Sequence, residues 1–300
     1  MMSDNFHVTK WWSAQPDVLG YWGPSTSSID WCEANYAVSR FIAEFTNTLS
    51  NLIFVALAIY GVRKCRDQSL PLPLALCQVG IALVGIGSFL FHATLKYEWQ
   101  LGDEIPMIFS ASFIAYVAFD TGRSGTPRSW FVNILPFLLF FYDLIVTVVY
   151  LRYPNPVFHQ VSYAFIQIAS TVRVYQTVRD APNSTPQEQQ HRSDIMRLEV
   201  VGSSIFITGF LIWNIDNLFC DQISVLKQSL GMPFSFLLEG HAWWHLATGS
   251  GAYLIVVGLQ LLSCTLKEGA EGFELKTGWG GLCPYVARVP LSATTKKRIF

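Results

Sequence analysis

Charge is what this 300-residue chain has least of. Only 14% of its residues are Asp, Glu, Lys or Arg, against about a quarter in an ordinary soluble domain. The 20 basic and 21 acidic side chains nearly cancel. That balance excludes a basic nucleic-acid binder in the usual sense, and the apolar composition excludes a disordered chain. Cysteine is scarce too: six residues with no CxxC pair are too few for a disulfide scaffold. An N-terminal apolar run is also missing. Residues 1–36 set Trp11, Trp12, Trp22 and Trp31 among polar residues, so no signal peptide is legible. No fixed-period repeat occurs, and low-complexity sequence is confined to a polar linker at about 180–193.

What is there is apolar: 51% of the chain is hydrophobic. A helix needs about 20 mostly apolar residues to cross the hydrocarbon. Seven stretches approach that length, at 38–61, 72–92, 102–119, 130–150, 156–178, 196–219 and 240–264. The third and fifth are the weakest, interrupted by Asp103, Glu104, His159, Gln160 and Gln167. The expected fold is all-α, an integral membrane bundle of seven transmembrane helices over 37–265. A luminal segment over 1–36 would precede it and a cytosolic tail over 266–300 would follow. Orientation comes from the basic residues in the connections. Fifteen of the 20 fall in the loops after helices one, three and five and in the tail; the other five are Lys10, Arg40, Lys96, Arg152 and Lys227. The N-terminus is therefore expected in the lumen or outside the cell, and a six-span layout, with both ends on one side, fits the split worse.

Ionisable residues in membrane spans are costly, so each asks for a partner or a purpose. Glu44, His92, Asp103, Glu104, His241 and His245 all fall at the luminal ends of their stretches. His241 and His245 form an HxxxH pair, and i, i+4 residues share one helix face, close enough to share a metal. By itself that spacing is common, and an interfacial pair beside Trp243 and Trp244 would look the same. His92 at the same depth adds a third ligand, and three histidines leave one zinc position open for water. A zincin motif would carry its own base, but Ala242 stands in that slot. Asp103 is the base to consider, with Glu104 next, and Ser88 lies one turn before His92. Read singly, Ser88 eases helix packing beside Gly85 and Gly87, and Asp103 is a solvated helix-start carboxylate. His159 is a poorer candidate, with no carboxylate or second histidine near it in sequence. His7 and His191 read as solvated, and the mid-span Asp143 and Asp216 as structural hydrogen-bonding groups.

A second cluster, Asp30-Trp31-Cys32-Glu33-Ala34-Asn35 followed by Glu44, offers hard oxygens suited to calcium. It lacks the glycine and the final glutamate of an EF-hand loop. A polar N-cap region before helix one accounts for the same residues.

Three blocks carry a resemblance to a known family: DWCEANYAVSRFIAEFTNTLSNLIF (30–54), GIGSFLFHATLKYEWQLGDEIPMI (85–108) and HAWWHLATGSGAY (241–253). They resemble, in order, the alkaline ceramidases, seven-span hydrolases in a superfamily shared with the adiponectin receptors. The resemblance implies zinc on His92, His241 and His245, with Ser88 and Asp103 in catalysis. It also implies calcium on Asp30, the Trp31 backbone, Glu33, Asn35 and Glu44. The implied reaction is hydrolysis of the ceramide amide to a sphingoid base and a fatty acid, by metal-activated water with Asp103 as general base. The implied location is the endoplasmic reticulum or Golgi membrane. There Cys32 and Cys220 would both face an oxidising lumen and pair, an expectation the resemblance shares; two free buried thiols is the alternative. An adiponectin-type receptor with the same metal set, and a transporter or structural membrane protein, stand as the other classes. Lys297 and Arg298 sit where a dilysine-type retrieval signal would lie, though a solvated basic tail explains them as well.

Overall fold

The computed structural model describes residues 18–290. The expectations at His7, Lys10, Lys297 and Arg298 lie outside those residues. Within them the chain is mostly helical. Helices α1 (Phe45–Asp67), α2 (Leu72–Thr94), α3 (Tyr97–Asp120), α4 (Trp130–Arg152), α5 (Pro156–Asp180), α6 (Pro186–Leu218), α7 (Cys220–Leu230) and α8 (Gly240–Glu268) follow in order. Strands β1 (Phe273–Gly278) and β2 (Cys283–Arg288) form an antiparallel hairpin, with Phe273 opposite Arg288. The expectation of an all-α chain is corrected by that hairpin.

Six of the helices, α1 to α4, α6 and α8, are long and apolar enough to cross a membrane. The fifth stretch is a continuous helix of 25 residues, but it is not among those six, because polar side chains along it lower its hydropathy. Polarity is inverted relative to a soluble protein. On α4 the exposed positions include Phe137, Phe140, Phe141, Ile145 and Val148, while Asp143 is buried and accepts from Ser112 Oγ at 2.6 Å. Such an outward apolar belt suits lipid rather than water. This is a membrane protein.

The core gathers around α8, in which every residue from Ile255 through Cys264 is buried. Leu57 and Tyr60 of α1, Leu74 of α2 and Leu198 of α6 pack there, joined by Phe273 and Val286 of the hairpin. The hairpin is therefore part of the folded body rather than a solvated tail. Tyr253 Oη donates to the Pro284 carbonyl at 2.7 Å, and Arg288 pairs with Glu268 at 2.6 Å.

Several local expectations change. The polar linker gives way at Pro186, where Thr185 and Glu188 form a capping box and α6 begins, as that motif favours. His191 is consequently buried, not solvated: its ring bonds the Phe273 carbonyl, which only the folded hairpin supplies. Asp103 and Glu104 lie more than a turn inside α3, which starts at Tyr97, so neither is a helix-start carboxylate. Asp216 lies at the end of α6 rather than mid-span, and accepts from the Gly240 amide at 3.2 Å where α8 begins.

Candidate active site

The short connection between α2 and α3 sets the site. Leu95 takes a left-handed conformation at φ 50 and turns the chain back, so α2 and α3 run antiparallel in close contact. Their backbones touch at Gly87, where an added Cβ would stand 1.8 Å from the Gly102 carbonyl oxygen. No other residue fits there. The next residues along, Ser88 and Asp103, are thereby brought together as neighbours across the two helices.

One turn beyond Ser88, His92 reaches the start of α8. His92, His241 and His245 are all buried, and each offers a ring nitrogen within 4.8 Å of the others'. Ring centroids are 4.6 to 4.9 Å apart, and the Trp31 ring lies 4.3 Å from that of His241. Ser88 Oγ stands 3.5 Å from His245 Nε2.

The surroundings fix the ring protons. Glu44 Oε2 takes Nδ1–H of His92, which leaves His92 Nε2 buried with no partner. His245 Nδ1 meets Ser50 Oγ at 2.8 Å, and Ser50 itself donates to the Asn47 carbonyl at 2.8 Å. With the serine proton committed there, Ser50 Oγ accepts from His245 Nδ1–H and leaves the lone pair on Nε2; Asn51 Nδ2, 3.3 Å from the same Nδ1, spends its own donation on the Asn47 carbonyl at 2.9 Å. His241 Nδ1 also has no partner. A carboxylate or hydroxyl holding one ring nitrogen while the other faces a common centre is the usual support for metal-ligating histidine. Buried, unpartnered imidazole nitrogens fit zinc, which binds such nitrogens in three-histidine sites.

The acidic cluster lies beside them. Glu33 accepts from the Thr46 and Asn47 amides at 2.6 and 2.8 Å, so it caps α1. Each carboxylate oxygen keeps a further lone pair. Asn35 Nδ2 donates to Asp30 Oδ1 at 3.2 Å, which turns its own carbonyl, Asn35 Oδ1, into a buried acceptor without a partner; Glu44 Oε1 is another. Burial, and then the nearby Glu44 charge, push Glu33 up to about 7. Burial, followed by the Asp30 charge, holds Glu44 well above the usual carboxylate range. No Lys or Arg ion pair reaches Glu33 or Glu44 among the described residues. Lys227 is committed to Glu239 at 2.6 Å. Unsatisfied hard oxygens and uncompensated acids fit a calcium ion. Close by, Cys32 and Cys220 are disulfide-bonded, with Cα atoms 5.4 Å apart, while the four other cysteines are free and buried.

Three features of the site are not plainly legible in the sequence. Ser50 and Asn47 orient His245, Lys227 with Glu239 braces the start of α8, and Glu104 has its own network. Glu104 accepts from Tyr150 Oη at 2.5 Å and from Gln100 Nε2 at 3.1 Å, while His159 Nε2 donates to its carbonyl at 2.8 Å. His159 is therefore beside an acidic residue after all, through the crossing of α3 and α5. The signal for the first was present as polar residues in FTNTLS, an otherwise apolar helix start.

A family profile described as Ceramidase matches residues 23–287 of this chain. Alkaline ceramidase 3 of Mus musculus is 38% identical over 249 residues, covering 80% of this chain and 85% of the mouse protein. Alkaline ceramidase YPC1 of Saccharomyces cerevisiae is 34% identical over 270 residues, 85% of this chain and 82% of the yeast protein. An alkaline ceramidase of Arabidopsis thaliana is 27% identical over 270 residues, 90% and 95% of the two chains. The match runs through the acidic cluster, the serine and aspartate, the three histidines and most of the hairpin; this chain belongs to the ceramidase family.

Proposed function

We propose that the protein is an alkaline ceramidase that hydrolyses the amide of ceramide to a sphingoid base and a fatty acid at the histidine cluster. The observation that carries this is the set of buried His92, His241 and His245 ring nitrogens facing one centre beside Ser88 and Asp103. Zinc held by the three histidines would lower the pKa of water and polarise the amide carbonyl. The chain's own groups do the rest. Asp103 takes the proton of the attacking water and returns it to the leaving amine. Ser88, beside Asp103 and 3.5 Å from His245 Nε2, turns its hydroxyl to the oxyanion as the tetrahedral centre forms. Glu44 and Ser50 hold the imidazoles of His92 and His245 in one tautomer throughout. Calcium on Asp30, the Trp31 carbonyl, Glu33, Asn35 and Glu44 would be structural, tying the N-terminal segment to α1. Glu44 touches both groups, so calcium and the histidine centre are coupled through it.

The lipid setting follows from the same residues. In this reading α5 is the seventh span: Val157, Val161, Phe165, Ile168 and Val172 face outward while His159, Ser162 and Ser170 turn inward. Lipid meets the apolar stripe, and neighbouring helices satisfy the polar one. The end bearing the histidines faces the lumen of the endoplasmic reticulum or Golgi. The 15 to 5 split of basic residues supports that side, as does a disulfide at the same end. Ceramide then keeps its chains in the membrane while its amide reaches water. The test is purified protein with a panel of ceramides, measuring free sphingoid base with and without a zinc chelator. No release by the zinc-loaded protein would overturn the reading.

A further inference from the structure

The end of the bundle away from the histidines carries a site of its own. It lies roughly 40 Å along α8, taking His241 to Lys267 at about 1.5 Å per residue. A cavity of about 310 Å³ opens there between the loop after α3, the ends of α5 and α8 and the first turns of α6. A second cavity of about 570 Å³ adjoins it, and the two share Arg123. Arg192 and His191 line the first and Arg173 the second.

The acids nearby are already occupied. Glu188 accepts from the Ser184 and Thr185 amides at 2.9 and 3.0 Å, and Glu268 pairs with Arg288 at 2.6 Å. Asp120 is shared by Lys267 at 3.2 Å and Arg128 at 2.8 Å. No ion pair is left for Arg123, Arg173 or Arg192 among the described residues. Basic residues collect at helix ends for topological reasons alone, but those extend into water. Here two buried nitrogens face no partner: His191 Nδ1, on a residue only 5% exposed, and Arg173 Nε. A buried nitrogen without a partner is costly: Arg173 Nε–H asks for an oxygen acceptor, and His191 Nδ1, whose ring proton is spent on the Phe273 carbonyl, asks for a hydroxyl donor such as the P–OH of a singly protonated phosphate.

We infer that these cavities bind a phosphate group. Arg123 borders both cavities, with Arg192 in the first and Arg173 in the second, and guanidinium forks match several oxygens around one anionic centre, which a phosphate supplies and a single carboxylate does not. The cavities lie level with the ends of α3 and α5, at headgroup depth, so the phosphate is either that of an anionic phospholipid or a soluble one.

The test uses the full-length protein in neutral detergent. Short-chain phosphatidic acid, inorganic phosphate, diacylglycerol and oleate are compared by thermal shift and by native mass spectrometry. Phosphatidic acid should raise Tm in a saturable way, as a ligand of the folded state must. Arg192→Gln should raise the half-saturating concentration about tenfold, the loss of one charge-assisted contact. Arg123→Gln, at an exposed position where folding is not at stake, should do likewise, while Arg63→Gln on the exposed end of α1 should not. Displacement by inorganic phosphate would identify a soluble phosphate as sufficient; binding of the lipid alone would assign the headgroup. Equal binding of oleate, or an unchanged response in both Arg123→Gln and Arg192→Gln, would overturn the inference.

Discussion

Gly87 of α2 lies against the carbonyl of Gly102 in α3 so closely that a methyl group on Gly87 would sit 1.8 Å from that oxygen. The reverse substitution is milder, since a Cβ on Gly102 meets only the edge of Trp99, at 3.2 Å. The contact sets the spacing of Ser88 and Asp103, one residue further along each helix. Gly87→Ala should therefore part the helices, at a cost of about 1–3 kcal/mol for overpacking, and reduce ceramide hydrolysis at least about tenfold, as small misplacements of catalytic groups do. Gly102→Ala should keep most of both. Melting curves and sphingoid-base release on the two variants check the asymmetry; equal effects would show that the close approach does not position the pair.

Asp103 and Ser88 make separable contributions. Asp103→Asn keeps the shape but cannot take a proton, so turnover should fall by about 10²–10⁴, the usual worth of a general base. Ser88→Ala removes an oxyanion donor and should cost about 10²–10³. Both variants should retain zinc by metal analysis, because neither belongs to the histidine set. Near-normal turnover in Asp103→Asn would move the base to Glu104.

The hydroxyl of Ser50 offers a test of the proton assignment at His245. Without it, the imidazole loses the group that accepts from Nδ1 at 2.8 Å. Ser50→Ala should weaken zinc binding about 10–100-fold, the typical effect of removing such a supporting partner. Activity should return when zinc is raised. His92→Ala, His241→Ala and His245→Ala should instead lose activity at any zinc concentration. Competition against a chelator of known affinity measures the difference, and an unaltered zinc affinity in Ser50→Ala would sink the assignment.

The gathering of His92, His241 and His245 was legible because ionisable residues in apolar stretches are expensive and these fall at one depth; Ser88 entered by lying one turn before His92, and Asp103 as a carboxylate at the same depth. Their supports were not. Ser50 and Asn47 look like ordinary small polar residues on a helix, and only the approach of α8 makes them partners of His245. His191 read as solvated because its neighbours in sequence are polar, whereas its burial depends on Phe273, 82 residues later. The hairpin itself has few strand signals beyond its aromatic residues, and its stability comes from packing on α1 and α8. The polar side chains that weaken α5 as an apolar stretch, His159 and Ser162 among them, are those it turns toward other helices, a distinction that composition averages away.

The acidic cluster ties calcium to pH. Burial first, and the Glu44 carboxylate second, raise Glu33 from an ordinary 4.5 to about 7, and Glu44 is displaced in the same direction. Between about 4.5 and 7 the folded chain therefore holds more protons than the unfolded one, so without calcium its stability should fall as pH rises through that window. Calcium binds the ionised carboxylates and competes with the protons, so its stabilising effect should grow over the same range and be largest above about pH 7. Glu33→Gln separates the two roles of this side chain. The amide oxygen still accepts from the Thr46 or Asn47 amide and keeps part of the α1 cap, but the charge is gone. The variant should melt with a flatter pH profile in a calcium-selective chelator and show a reduced shift when calcium is added, with zinc content unchanged. Melting temperatures measured from pH 5 to pH 9, with and without calcium, decide it. A calcium response that is independent of pH, or equal in Glu33→Gln, would return Glu33 to a capping role alone and remove it from the ion's ligands.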